Sequence, residues 1–201
     1  MGIDNWVLVA IIAGFFFNAL YTKGGLAKDK RDQVILIIAM GFTLIADIFM
    51  LMLDMNAFGV LIFCAVQTAH NYRFTNKRRT LTQVTLGIIT FLVAFLLGVE
   101  VLFALGAAYA VFIFFSITGS FMAYRKYPSP NNIMIVAGMI LFMFCDIFVL
   151  IYYTQRGLPA ETRDLVFRAI WICYLPSQAL LSSSARKARD YKEEDELKRM
   201  K

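Results

Sequence analysis

Long apolar stretches separated by short polar clusters dominate this sequence, and they restrict the folds open to it. Each stretch is close to the roughly 20 residues that an α-helix needs to cross a bilayer. The predicted spans cover residues 3–21, 33–53, 56–72, 81–97, 100–121, 132–154 and 165–184. Because 60% of the 201 residues are hydrophobic and 17% are charged, little chain remains for a water-soluble domain. The sequence therefore predicts an all-α, polytopic membrane bundle of seven transmembrane helices over residues 1–184, followed by a charged tail at 185–201.

The basic residues are distributed unevenly over the predicted loops. Seventeen of the 20 Lys and Arg residues follow the first, third, fifth or seventh span. The other three, Arg156, Arg163 and Arg168, lie around the connection between the sixth and seventh spans. Since cytoplasmic loops carry an excess of Lys and Arg, we expect the N-terminus outside and the tail in the cytoplasm. The first span has no basic segment before it and no small-residue cleavage site after it, so we interpret it as a retained span.

The net charge of +6 belongs mainly to these loops and to the tail. In a membrane protein such residues anchor helix ends at the lipid headgroups, and the basic run at 76–79 is interpreted in this way. We therefore expect the bilayer as a partner and no nucleic acid. The predicted location is a bacterial cell membrane, which the chain crosses several times.

The rare reactive residues exclude several classes of site. Cys64, Cys145 and Cys173 each lie inside an apolar stretch, so they form neither a disulfide framework nor a metal knuckle. The chain has one histidine, which excludes a three-histidine zinc site, and it has no GxSxG motif. No lysine lies in the middle of a span to hold a retinal. We expect no metal and no cofactor, and carboxylates remain as the candidates for chemistry.

Two aspartates lie inside predicted spans, in similar surroundings. The second and sixth spans both contain Asp-Ile-Phe-x-Leu, beginning at Asp47 and Asp146. The two spans run in the same direction, and each aspartate lies about 10 to 12 Å from the outer end of its span at 1.5 Å per residue. This pattern indicates a parallel internal repeat, although chance similarity between apolar helices is an alternative.

Inserting an ionisable group at membrane depth costs at least about 2.5 kcal/mol of free energy, so each aspartate is expected to have a structural or functional role. One such role is a shared site in which desolvation and mutual repulsion keep one carboxyl protonated and the other ionised. Such a site requires the two helices to be adjacent. The alternative is that each aspartate is a protonated or hydrogen-bonded clasp between helices.

Further polar candidates lie in the third and seventh spans. Gln67 and His70 share one face of the third span, which ends near Tyr72. We expect Gln67 to approach the aspartates and His70 to lie about 10 Å further toward the cytoplasm, either as a headgroup or backbone partner or as part of the site. In the seventh span, Tyr174 and Gln178 flank a proline and either line a polar cavity or belong to an ordinary packed kink.

Four short motifs of the sequence resemble those of the YhhN family of membrane proteins, which includes lysoplasmalogenases. In chain order they are Ala46-Asp47, Ala69-His70-Asn-Tyr72, Cys145-Asp146 and the segment from Tyr174 to Gln178. The chain departs from the family pattern in three ways. Ala46 replaces a glycine, Tyr72 is displaced by one position, and seven predicted spans stand where eight are usual. The sequence is thus similar to a divergent member.

The resemblance implies hydrolysis of the vinyl ether bond of a lysoplasmalogen by carboxylate acid/base chemistry. It implies Asp47 and Asp146 as the catalytic pair, and we interpret Asp47 as the acid and Asp146 as its partner, with the reverse order as the alternative. Five residues would bind and position the substrate and water, namely Gln67, His70, Tyr72, Tyr174 and Gln178. The implied partner is a lysophospholipid or another single-chain lipid. The alternatives are a proton-coupled or small-solute transporter or a lipid-binding membrane protein that uses the same aspartates, and a purely structural assembly partner.

Overall fold

The computed structural model describes residues 5–21, 30–155, 157 and 159–185, and within these ranges the chain is all-helical, without a strand. The seven helices are α1 (Asn5–Tyr21), α2 (Lys30–Leu51), α3 (Asn56–Phe74), α4 (Lys77–Leu96), α5 (Val101–Lys126), α6 (Pro130–Thr154) and α7 (Ala160–Ser183). Each corresponds to one predicted span, so the predicted all-α fold is confirmed. The predicted charged tail lies, from residue 186 onward, outside the described residues.

Five of these helices, α2, α4, α5, α6 and α7, are long and apolar enough to cross a membrane. Helix α1 is apolar but shorter, and α3 carries several buried polar side chains. The outer face of α4 is apolar along its length, with exposed Leu81, Ile88, Leu92 and Leu96. These features are those of a multi-pass integral membrane protein, because exposing such a large apolar surface to water is unfavourable. The count of seven spans and their orientation stay predictions.

Polar caps extend two helices beyond the apolar segments that predicted them. Helix α4 begins at Lys77, where the Asn76 side chain accepts a hydrogen bond from the Arg79 backbone N–H at 2.9 Å. Helix α6 begins at Pro130, after Ser129, whose hydroxyl accepts a hydrogen bond from the backbone N–H of Asn132. Capping side chains and a first-turn proline favour helix starts irrespective of hydrophobicity.

Six of the helices form a closed ring. In the order α1, α2, α3, α5, α6 and α7, each packs against the next, and α7 packs back against α1. Helix α4 lies outside this ring, against α5 and α3. Its approach to α5 depends on Gly87, because a Cβ atom at that position would lie 2.1 Å from the Phe112 ring. Small residues at such contacts let helix backbones come close together in a membrane.

The ring has the order that a parallel repeat would produce. The run α1–α2–α3 is followed by the run α5–α6–α7, and the contact of α3 with α5 has its counterpart in that of α7 with α1. Helices α2 and α6, which carry the two aspartates, are equivalent in this scheme and lie across the ring from each other. The repeat itself stays a prediction, and the ring order supports it.

Candidate functional site

A cavity of about 550 Å³ lies inside one half of the ring. Its lining comes from α2, α3, α5, α6 and α7, at the end where α2 finishes and α3 begins. Asp47 and Asp146 both contribute to this lining. The two carboxyl groups that the sequence singles out therefore face one cavity from different helices.

Asp146 is held by a short relay of side chains. The Tyr109 hydroxyl of α5 donates a hydrogen bond to Oδ2 of Asp146 at 2.8 Å. The Gln67 Nε2 of α3 donates in turn to the Tyr109 oxygen at 3.2 Å. The chain of bonds runs from α3 through α5 to α6, and it fixes the direction in which the Asp146 carboxyl points.

Asp47 is held by a phenol from a different helix. The Tyr174 hydroxyl of α7 donates a hydrogen bond to the Asp47 carboxyl, and both side chains are buried. Helix α7 is fastened to α6 next to this point, because the Ser177 hydroxyl donates to the Gly138 carbonyl at 2.9 Å. Each aspartate thus has its own tyrosine donor.

An aromatic cluster separates and positions the two tyrosines. Phe142 packs edge-on against Tyr174, with ring centroids 5.8 Å apart, and against Phe63 at 5.9 Å. Phe63 packs in turn against Tyr109 at 6.4 Å. Edge-to-face contacts of this kind restrict ring orientation. The cluster therefore holds both phenol donors in fixed positions relative to each other.

We expected a shared site to require adjacent aspartate helices, but the two helices are not adjacent. Helix α2 packs chiefly against α3 and α1, and α6 packs chiefly against α7 and α5. The carboxyls reach a common cavity from opposite sides of the ring instead. A ring of helices makes this possible, because side chains that point to its interior converge without direct packing of their helices.

The fold places some of the other candidate residues at or near the cavity and others away from it. Tyr174 lines the cavity beside Asp47, and fully buried Gln67 lies one hydrogen bond behind Tyr109. Tyr72 lies outside the cavity lining, where its hydroxyl accepts a hydrogen bond from Arg31 at 2.8 Å. It is therefore not brought together with the aspartates.

His70 and Gln178 are buried inside the bundle but do not line the cavity. We expected His70 nearer the headgroups, yet its side chain is 1% exposed and stacks on Phe74 with ring centroids 5.7 Å apart. It shares the inward face of α3 with Gln67, three residues earlier, and this face determines its burial. In the described part of the chain, neither side-chain polar atom of Gln178 has a hydrogen-bond partner, and nor has Nδ1 of His70.

Tyr109 is the site residue that sequence reasoning missed. It lies in the middle of the fifth span, among Ala107, Ala108 and Ala110, where it reads as an ordinary aromatic of an apolar segment. A signal was present, since a buried tyrosine hydroxyl normally requires a hydrogen-bond partner. Helix α5 itself contains no acidic residue, so a carboxylate partner had to come from another element.

A separate cluster of charged and polar side chains lies at the end of the ring away from the cavity. Arg73 of α3 makes a two-bond ion pair with Asp32 of α2, with distances of 2.6 and 2.8 Å, and also donates to the Ser184 hydroxyl. In the described residues this is the only salt bridge, and it involves neither cavity aspartate. The same residues contain no group of three His, Cys, Asp or Glu side chains arranged to hold a metal ion.

Comparison with known families places nearly the whole described chain in one match. The model of the YhhN family matches residues 5–185, which include all seven helices and both cavity aspartates. Comparisons with curated proteins and with solved structures found no match.

Proposed function

This chain belongs to the YhhN family, and we propose from that membership and from its paired aspartates that it is an integral membrane hydrolase of the lysoplasmalogenase type. The proposed substrate is a lysoplasmalogen-like single-chain lipid, and the proposed location is a bacterial cell membrane. The observation that carries the proposal is the presence of Asp47 and Asp146 in one cavity, each with a tyrosine donor.

The proposed reaction adds water across a vinyl ether and needs only proton transfers. Asp47, as a carboxylic acid, gives its proton to the alkene carbon that is remote from the ether oxygen, and an oxocarbenium ion forms. Asp146, as a carboxylate, takes a proton from the water that attacks this ion. The product of these two steps is a hemiacetal.

Collapse of the hemiacetal restores both aspartates. The proton on Asp146 passes to the ether oxygen as the carbon–oxygen bond breaks, and the hemiacetal hydroxyl returns a proton to Asp47. The products are a fatty aldehyde and a glycerophospho-base. Tyr174, Tyr109 and Gln67 act as positioning residues, since their hydrogen bonds orient the carboxyls that exchange protons.

The surroundings of the two aspartates support proton transfer over ion pairing. Neither carboxyl forms a salt bridge in the described part of the structure. At membrane depth a proton, not a fixed cation, then neutralises a carboxyl, and Asp47 can carry the proton that it donates. A carboxyl locked to an arginine would be a poor acid.

The transporter alternative requires a route from each side of the membrane. Toward the end of the bundle away from the cavity lies a second apolar cluster that includes Leu36, Met40 and Ala185, all of them fully or almost fully buried. The Arg73–Asp32 ion pair connects α2 and α3. A cavity that approaches one end of the bundle supports a hydrolase better than a carrier.

The proposal is tested by incubating the purified protein with a lysoplasmalogen in D₂O and trapping the fatty aldehyde by reduction. We expect aldehyde with one deuterium on the carbon next to the carbonyl, because that carbon receives the proton from the acid. The saturated alkyl-ether analogue should remain intact, since it has no alkene to protonate. Aldehyde release no faster than in a protein-free blank would contradict the proposal.

A further inference from the structure

Between α5 and α6, the cavity is lined by small or apolar residues, most of which have a large accessible surface. On α5 the lining includes Gly106, Ala107 and Ala110, and the two alanines are exposed. On α6 it includes Ile147, which is 43% exposed, and Leu150, which is 57% exposed. So much accessible surface on these lining residues fits an opening of the cavity on this side, and all of them are apolar.

This opening lies in one half of the α5–α6 contact only. At the other end the two helices are joined by a short turn, and the Asn132 side chain donates to the Tyr127 carbonyl at 2.7 Å and to the Ala123 carbonyl at 3.4 Å. The cavity residues of α5 begin at Leu102 and those of α6 finish at Thr154, next to the opposite ends of these helices. The helices are therefore tied at one end, and the cavity separates them toward the other.

The cavity also has a polar mouth at that same end. Its lining there includes Asn56, Glu100, Tyr153 and Thr154, and the Tyr153 hydroxyl donates to Oδ1 of Asn56 at 3.4 Å. The cavity thus joins a polar mouth, an apolar slot between α5 and α6, and the two aspartates. We call the residues Gly106, Ala107, Ala110, Ile147 and Leu150 the lateral slot.

We propose that the lateral slot admits the hydrocarbon chain of a single-chain lipid sideways from the bilayer, while the lipid headgroup occupies the polar mouth. The inference rests on the proposed function in one respect, namely that the bond to be cleaved lies at the aspartates. In a lysoplasmalogen the vinyl ether joins the chain to the glycerol headgroup, so it belongs where slot and mouth meet. The cavity volume of about 550 Å³ lies in the usual range for one small ligand, roughly 300 to 1,000 Å³.

The small residues on α5 explain why the slot is open. A Cβ atom at Gly106 would have no atom within 4 Å, although the residue lines the cavity. A large side chain at this position can therefore project into the slot without a clash against the backbone. Gly14 of α1 offers a matched control, because its Cβ position is equally open and it does not line the cavity.

The test uses a saturated alkyl-ether lysolipid that carries a photoreactive group in its chain, so binding is measured without hydrolysis. In bilayer nanodiscs, we expect labelling of wild-type protein on peptides from α5 and α6 that contain residues 102–113 and 147–150. Gly106→Phe should reduce this labelling at least about tenfold, and Gly14→Phe should leave it unchanged. Thermal unfolding of each variant reports whether it is folded.

Absence of labelling from both α5 and α6 of the wild-type protein would overturn the lateral slot, whether or not Gly106→Phe folds. Undiminished labelling in a folded Gly106→Phe variant would also overturn it. The labelling result can be distinguished from the test of the proposed hydrolase activity. Slot labelling in a protein that releases no aldehyde would retain the slot and reject the hydrolase, and aldehyde release by a protein labelled elsewhere would do the reverse.

Discussion

At the scale of single residues, the arrangement of the cavity depends on hydroxyl groups that hold carboxyls in place. Asp146 receives its hydrogen bond from Tyr109, and Asp47 receives one from Tyr174. Carboxyl groups without such donors would be free to turn away from the substrate, and in a bilayer they would also be left without polar partners. The phenols are thus as much a part of the site as the aspartates.

Tyr109→Phe is expected to slow aldehyde release about 10- to 100-fold, because a hydrogen bond to a charged group is worth about 1.5 to 3 kcal/mol. The ring contact with Phe63 is kept, but the lost hydrogen bonds to Asp146 and from Gln67 should also lower the melting temperature, so rates are compared per folded protein. Tyr124→Phe is the matched control, since Tyr124 lies on the same helix but outside the cavity. Equal rates for both variants would show that the relay through Tyr109 has no role in turnover.

Sequence alone could single out the aspartates but not their partners. Asp47 and Asp146 are conspicuous, because an acidic residue inside a span has an evident energetic cost. Tyr109 carries no such cost in its sequence context, and its role arises only when α5 lies between α3 and α6. Tyr72 is the opposite case, since a family motif indicated it but its hydroxyl pairs with Arg31 away from the cavity.

At the scale of helices, the bundle is held by close contacts at small residues. Gly87 brings α4 against the outside of the ring, where Phe112 of α5 occupies the space that a side chain would need. The positions and lengths of the apolar segments predicted the helices well, because a backbone in lipid must satisfy its own hydrogen bonds. Helix starts such as Lys77 and Pro130 were missed, since those first turns are polar and depend on the capping residues before them.

Gly87→Ala is expected to destabilise the folded protein by about 1 to 3 kcal/mol, because the added methyl group overpacks the α4–α5 contact. Thermal unfolding in detergent measures this effect. Gly14→Ala serves as the control, and in open space it should stabilise α1 slightly through its better helix propensity. A Gly87→Ala variant that is as stable as Gly14→Ala would refute the close approach of α4.

At the scale of the whole molecule, six helices enclose a space that no pair of them could enclose alone. The order of helices around this ring was not predictable, because apolar segments carry little information about which neighbour they will contact. The alternation of basic loops does predict which end of the ring faces the cytoplasm. It places the polar mouth of the cavity outside, near Asn56 and Glu100.

Cysteine labelling from the two sides of the membrane tests this orientation. With the native cysteines replaced, Cys introduced at Asp54, Glu100 or Glu161 should react with an impermeant reagent in intact cells. Cys introduced at Lys28, Arg78 or Arg125, or in the tail after residue 185, should react only after permeabilisation. A tail labelled from outside would invert the map and move the cavity mouth to the cytoplasmic side.

In the proposed reaction the two aspartates act together, and variants that keep their shape but not their acidity test this. Asp47→Asn and Asp146→Asn keep nearly the same volume and the ability to hydrogen bond, but they can neither deliver nor accept the required proton. General acid–base catalysis typically contributes about 100- to 10,000-fold to a rate, or about 3 to 5 kcal/mol. His70→Gln should be much milder, because His70 does not line the cavity.

The decisive measurement is therefore the rate of aldehyde release from lysoplasmalogen by the purified Asn variants relative to the wild-type protein. We predict that each variant loses at least 100-fold in rate, with expression and monodispersity retained. A loss below tenfold in both variants, or a His70→Gln variant that is more damaged than either, would contradict the assignment of the aspartates as the reacting groups.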